Sequence, residues 1–107
     1  NRVTTNGLAQ LLFNVQQQPY FNTYFISLPI AGNSERMVGG TLRKRLTDAN
    51  LQNRIYAKTG YIPNVYTLSG YVKGNSGKQY IFSILLENKA NGNTHIDRAM
   101  ASIVKSL

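Results

Sequence analysis

Lys58-Thr59-Gly60-Tyr61 brings together side chains and a backbone donor that can hold a carboxylate and stabilise acyl transfer. A Lys ammonium is a point charge that binds a carboxylate and polarises a neighbouring hydroxyl. The Thr hydroxyl beside it offers a second, directional hydrogen bond to the same carboxylate. Gly60 carries no side chain, so a substrate peptide can pair with the strand backbone as an added strand. The next backbone N–H, that of Tyr61, is then free to face a developing oxyanion. An isolated Lys-Thr-Gly has a plainer reading, a solvated Lys at a strand end followed by a turn glycine. The flanking residues favour the chemical reading. Arg54-Ile55-Tyr56-Ala57 is an apolar, β-branched and aromatic lead-in, Pro63-Asn64 supplies a turn, and a second strand-like run ends in Ser69-Gly70-Tyr71-Val72.

Arg54 to Thr59, Tyr66 to Lys73 and Gln79 to Glu87 read as three strands, with Lys58 near the end of the first. Asn64 and Gly74-Asn75-Ser76-Gly77 mark hairpin-length connections, so the sheet is predicted to be an antiparallel meander. Tyr80 to Leu86 is apolar on both faces, as in a strand that is central or covered on both sides. Thr5 to Gln17 reads as a helix with Leu8, Leu11, Leu12 and Val15 on one stripe, capped by Thr4 or Thr5 and stopped by Pro19. Tyr20 to Ser27 is a second short helix with Phe21, Tyr24, Phe25 and Leu28 on one side, ended by Pro29. Ala31 to Gly40 reads as loop. Thr41 to Leu46 reads as a short helix capped by Thr41. A last helix is expected from Asn93 or Thr94, with Asp97 as a near capping box and Ile96, Ala99, Met100, Ile103, Val104 and Leu107 as its buried stripe. The fold class is therefore α+β, a three-stranded antiparallel meander flanked by helices.

At 107 residues the chain is one domain or a piece of one. Its 42% hydrophobic content and seven Tyr argue against disorder. It contains no Cys, which removes disulfides, thiolate nucleophiles and Cys-based zinc sites. The single His95 cannot build a metal site alone and lies just inside a helix start, where a surface or capping role is expected. The carboxylates are Glu35, Asp48, Glu87 and Asp97, too few to favour a paired-carboxylate hydrolase. No cofactor and no metal is expected. No apolar run approaches the length of a membrane span, and no signal peptide is present. The chain begins Asn1-Arg2-Val3 without Met, as expected of a processed or truncated product whose address signal lies upstream. The net charge is +8, densest at Arg43-Lys44-Arg45. A nucleic-acid patch is one reading; a solvated helix face is the favoured one, since no aromatic or Gly-rich binding motif accompanies the cluster.

Lys-Thr-Gly is one of the boxes of penicillin-binding proteins and serine β-lactamases. The order of landmarks narrows this. Asn1-Arg2-Val3-Thr4 leads into a helix with Leu11-Leu12. Then come Ser27-Leu28-Pro29-Ile30-Ala31-Gly32, Gly40-Thr41-Leu42-Arg43-Lys44-Arg45-Leu46, Ala57-Lys58-Thr59-Gly60 and Leu68-Ser69-Gly70-Tyr71-Val72. Over nearly its whole length the chain resembles the D-alanyl-D-alanine carboxypeptidase/endopeptidase family, the class C low-molecular-mass penicillin-binding proteins. Two departures stand out: Tyr61 replaces the usual Thr after Lys-Thr-Gly, and Asn33 to Gly39 is longer than the usual connection.

The resemblance implies that residues 1–107 are the C-terminal part of a penicillin-binding transpeptidase domain, with a serine β-lactamase-like fold. It implies acyl transfer on peptidoglycan stem peptides ending in D-Ala-D-Ala, inhibition by β-lactam antibiotics, and an extracytoplasmic setting in the periplasm or cell envelope. Nucleic acid is not an expected partner, and membrane-surface association would run through regions outside this chain. Lys58 is expected to be catalytic, anchoring the substrate carboxylate and tuning the hydroxyl of a second, Ser-x-Asn box. Thr59 would share the carboxylate, Gly60 admit the substrate backbone, and Tyr61 N–H complete the oxyanion hole. The acylated Ser, with a Lys one turn later, is expected upstream of Asn1, leaving this chain alone inactive. Ser102-Ile103-Val104-Lys105 has the right spacing but follows the Lys58 strand, and is read as a chance match on an exposed helix face. The alternatives are a non-catalytic basic α+β module binding an anionic polymer such as nucleic acid, and a transpeptidase-like fold used only for assembly or peptide binding.

Overall fold

The computed structural model describes residues 4–87 and 90–107, leaving out the side chain of Ile62. Thr4 is extended (φ −106°, ψ 155°), and its hydroxyl accepts from Gly7 N–H, which starts α1 (Thr5–Gln16). After Pro19 the chain forms α2 (Phe21–Ile26). Leu28 to Ala31 then runs beside the first strand: Ala57 N–H donates to Pro29 carbonyl (3.0 Å) and Ala31 N–H to Ile55 carbonyl (2.9 Å).

The stretch expected to be loop contains a four-residue helix, α3 (Arg36–Gly39), followed by a 3₁₀ turn at Gly40–Leu42. The expected helix from Thr41 to Leu46 is absent, and no side chain caps the 3₁₀ turn. The reason lies in the backbone and the core. Gly40 takes φ 53°, a value that favours glycine and breaks the helix. Leu42 and Leu46 must both bury, and Leu46 does so only with φ 54°. Arg43 and Arg45 are consequently not a solvated helix face. Arg43 Nη1 donates to Gly40 carbonyl (2.9 Å), and Arg45 grips Asp97 with both ends of its guanidinium, leaving Lys44 as the exposed member of the cluster.

The strands are β1 (Ile55–Ile62), β2 (Val65–Lys73) and β3 (Gln79–Glu87), joined as an antiparallel sheet in the order β1-β2-β3. β1 runs past Gly60 because its ladder with β2 continues to Ile62↔Val65. Lys58 therefore sits inside the strand, not near its end. The connection is the two-residue turn Pro63-Asn64, with Asn64 at φ 68°. A left-handed residue at the second central position is what a type II turn requires, and Pro suits the first.

α4 (Gly92–Lys105) begins earlier than expected, from Asn91 in the left-handed region and with no side-chain cap. Asp97 does not serve as a cap because Arg45 takes it, at 2.6 and 2.9 Å. The buried stripe is narrower than its sequence pattern: Ile96, Met100 and Val104 are fully buried and Leu107 is half-buried, while Ala99 and Ile103 face solvent. These residues close the main core with Ile55, Ala57, Leu68 and Val72 from the sheet and Leu42, Leu46 and Leu51 from the connecting segment. On the opposite face Leu12, Leu28 and Tyr71 form a second cluster with Phe21, Tyr24, Phe25, Tyr56 and Ile81. β3 is an edge strand among the described residues, yet both its faces are partly covered. Ile81 lies in the α1–α2 cluster, and Tyr80, Phe82, Ile84 and Leu86 pack on the α4 side.

Candidate functional site

Strand pairing fixes where the Lys-Thr-Gly groups point. Antiparallel partners share a face. Tyr56, Tyr71 and Ile81 form one cross-strand row, and all three belong to the α1–α2 cluster. Two residues further along β1, the same face carries Lys58–Ser69–Ser83, and then Gly60–Thr67–Leu85. All of these but Ser83 floor a cleft of about 760 Å³, walled by Leu8, Leu11 and Leu12 of α1 and Tyr24 of α2. Leu11, expected on the apolar stripe of α1, is more than half exposed on this wall. Glu87 lies at the cleft's far end.

The backbone of β1 has a different polarity. Since Ile55 and Ala57 bond outward to Pro29 and Ala31, every second residue of β1 turns its N–H and C=O away from β2. Past Ala57 the covering segment has left, and Thr59 and Tyr61 are the next residues facing that side. Among the described residues no backbone bond occupies the outer side of either. The result is a short free strand edge beside the cleft, able to accept an extended peptide.

Each expected site residue has a definite place. Lys58 is exposed, and its ammonium donates to Thr59 carbonyl at 2.8 Å. Thr59 Oγ1 lies 3.4 Å from Thr41 Oγ1. Gly60 has its backbone toward β2. Its lack of a side chain matters on the cleft floor, where a Cβ would come within 2.3 Å of Thr67 Oγ1. The backbone groups that face outward at this edge are thus those of Thr59 and Tyr61. Tyr61's ring is exposed and tilted against Tyr66 at 4.9 Å. Ser102 and Lys105 are exposed on α4, on the other side of the sheet.

Sequence reading passed over Thr41, Ser69 and Ser83. Ser69 was within reach: counting back from the turn at Pro63-Asn64 places it opposite Lys58. Thr41 was signalled by Gly39-Gly40 before it, a poor lead-in for a helix cap. Ser83 Oγ is buried with no hydrogen-bond partner among the described residues. At the closed end of this face, Tyr71 O–H donates to Leu12 carbonyl at 2.8 Å and ties α1 to β2. Burial, with a smaller contribution from the Tyr24 hydroxyl, pushes the Tyr71 phenol up from 10.0 to about 12.

The sequence profile of the D-Ala-D-Ala carboxypeptidase 3 (S13) family matches residues 1–107. A D-alanyl-D-alanine carboxypeptidase of Actinomadura sp. (strain R39) is 40% identical over 85 residues, which cover 79% of this chain and 16% of that protein. Penicillin binding protein 4 of Haemophilus influenzae superposes with a TM-score of 0.71 over 84% of this chain and 19% of its own, at 24% identity. A structure of the same protein complexed with a β-lactam gives the same TM-score at 25% identity, covering 20% of that chain. This chain thus spans less than a quarter of the length of these relatives.

Proposed function

Because the chain belongs to the D-Ala-D-Ala carboxypeptidase 3 (S13) family, we propose that residues 1–107 are the C-terminal part of the transpeptidase domain of a serine D-Ala-D-Ala carboxypeptidase/endopeptidase. It acts outside the cytoplasm on peptidoglycan stem peptides, and β-lactams acylate it. The observation that carries this reading is the free edge of β1 at Thr59 and Tyr61, with Lys58 on the cleft floor beside it.

The geometry supports the following roles. A stem peptide lies along the free edge as an added strand. Its terminal carboxylate meets the Lys58 ammonium, which swings from Thr59 carbonyl, and the Thr59 hydroxyl. Release of that carbonyl frees an acceptor for a substrate N–H. Tyr61 N–H points outward on the same edge and donates to the oxyanion of the tetrahedral intermediate. A serine upstream of Asn1 attacks the penultimate D-Ala carbonyl, the terminal D-Ala leaves as its amine, and water then cleaves the ester. The Tyr61 ring leaves the backbone donor in place but removes the hydroxyl that Thr would offer.

The test is the mass of the full-length protein and of residues 1–107 after incubation with a labelled penicillin. The full-length protein gains one adduct, releases D-Ala from a D-Ala-D-Ala peptide, and is labelled equally as Ser102→Ala; residues 1–107 gain none. Labelling of the isolated chain that Ser102→Ala removes would move the nucleophile to α4 and overturn the assignment.

A further inference from the structure

Resting on the carboxylate-binding role proposed for Thr59, we propose that Thr41 is a positioning residue. Its hydroxyl donates to Thr59 Oγ1 and so aims the Thr59 proton at the substrate carboxylate.

The turn that carries Thr41 is tightly specified. At Gly39 a Cβ would lie 1.9 Å from Asn33 carbonyl oxygen, so only glycine lets the two segments approach. Gly40, at φ 53° and ψ −129°, then turns the chain out of α3 through a conformation open to glycine alone. Leu42 drops into the core with no exposed surface, and Arg43 Nη1 clamps Gly40 carbonyl. Between these anchors Thr41 is exposed and caps no helix. The turn instead sets its hydroxyl 3.4 Å from Thr59 Oγ1, across 18 residues of sequence.

The chemistry asks for such a neighbour. A Thr hydroxyl has one proton and two lone pairs. If Thr59 spends its proton on a carboxylate, its oxygen is left to accept, and Thr41 O–H is the donor at hand. Each bond in such a chain polarises the next. The 3.4 Å separation is longer than an ordinary O–H···O bond, so the pair has room to shorten when a carboxylate draws on the Thr59 proton.

The experiment measures acylation of the full-length protein by a carboxylate-bearing labelled penicillin, for wild type, Thr41→Val, Thr41→Ser, Thr59→Val and the Thr41→Val/Thr59→Val pair, with melting temperatures for each. Val keeps the shape of Thr without its hydroxyl. Loss of one hydrogen bond is expected to slow Thr41→Val about 3- to 10-fold. Thr41→Ser should stay within about twofold of wild type, and Thr41→Val should add nothing once Thr59 is Val. On a D-Ala-D-Ala peptide the change should fall mainly on KM, because the carboxylate is held in ground and transition states alike. Thr41→Ala replaces Val if Val lowers the melting temperature. If Thr59→Val is slow while Thr41→Val matches wild type, or if the two losses multiply, the positioning role is overturned and the functional reading survives. If Thr59→Val matches wild type, Thr59's carboxylate role falls and the positioning role with it. If the wild-type full-length protein takes no label, the functional reading itself fails.

Discussion

On the α4 face of the sheet, Ile55, Ala57, Leu68 and Val72 meet Ile96, Met100 and Val104, all with 0–1% of their surface exposed. On the α1 face, the alternate residues of the same strands read Lys58–Ser69–Ser83 and Gly60–Thr67–Leu85, and all but Ser83 floor an open cleft. A strand assigns successive side chains to opposite faces, so three strands can build a dry core and a polar site back to back. The α4 face contributes stability through area removed from water. The α1 face gives up part of that burial to keep a charge, hydroxyls and a free edge accessible. Damage to one face should therefore read out as lost folding, and damage to the other as lost chemistry.

The sharpest break on the closed side is Met100→Ala. It removes a fully buried side chain from the α4 seam and should destabilise the protein by about 2–5 kcal/mol, read from chemical denaturation. A loss below about 1 kcal/mol would mean that the seam collapses around the gap or that the α4 face is not the main core.

A second break uses pH and falls where the α1 face is closed. Tyr71 holds its proton more tightly folded (about 12) than unfolded (10.0). Its contribution is therefore complete below pH 10 and is lost as pH rises toward 12. The loss amounts to roughly 3 kcal/mol across that window. Tyr71→Phe should flatten this part of the stability curve while lowering stability at neutral pH by about 1 kcal/mol, since Leu12 carbonyl loses its donor. An unchanged alkaline slope in Tyr71→Phe would show that another group controls it.

The smallest effect sharpens the comparison from the polar side. Among the described residues Ser83 Oγ is buried without a partner, so Ser83→Ala should leave stability within about 0.5 kcal/mol of wild type or raise it. A loss of more than about 1 kcal/mol would reveal a hydrogen bond to Ser83 in the folded protein.

What the sequence disclosed follows the same division. The meander was readable because alternation and the turn residues at 63–64 and 74–77 are local signals. Lys58, Thr59, Gly60 and Tyr61 were readable as a candidate group because the chemistry proposed for them lies in consecutive residues. The turn around Thr41 was not, since it depends on Gly39 packing against Asn33 and on Leu42 and Leu46 finding the core. Asp97 looked like a helix cap because local rules favour an acid in a first turn. Its partner, Arg45, lies 52 residues away and no periodicity announces it. The strand boundary at Gly60 was misplaced for a related reason. Glycine signals a break locally, whereas Thr67 across the ladder requires it.

The division of labour is tested most directly by measuring penicillin acylation per folded molecule in full-length Lys58→Ala and Met100→Ala side by side. Lys58 is exposed, so Lys58→Ala should keep the wild-type melting temperature and acylate at least about 10- to 100-fold more slowly, from loss of a charge-assisted carboxylate contact. Met100→Ala should melt early and acylate at close to the wild-type rate at temperatures where it is folded. Wild-type acylation by Lys58→Ala would remove the cleft from the chemistry and with it the proposed function.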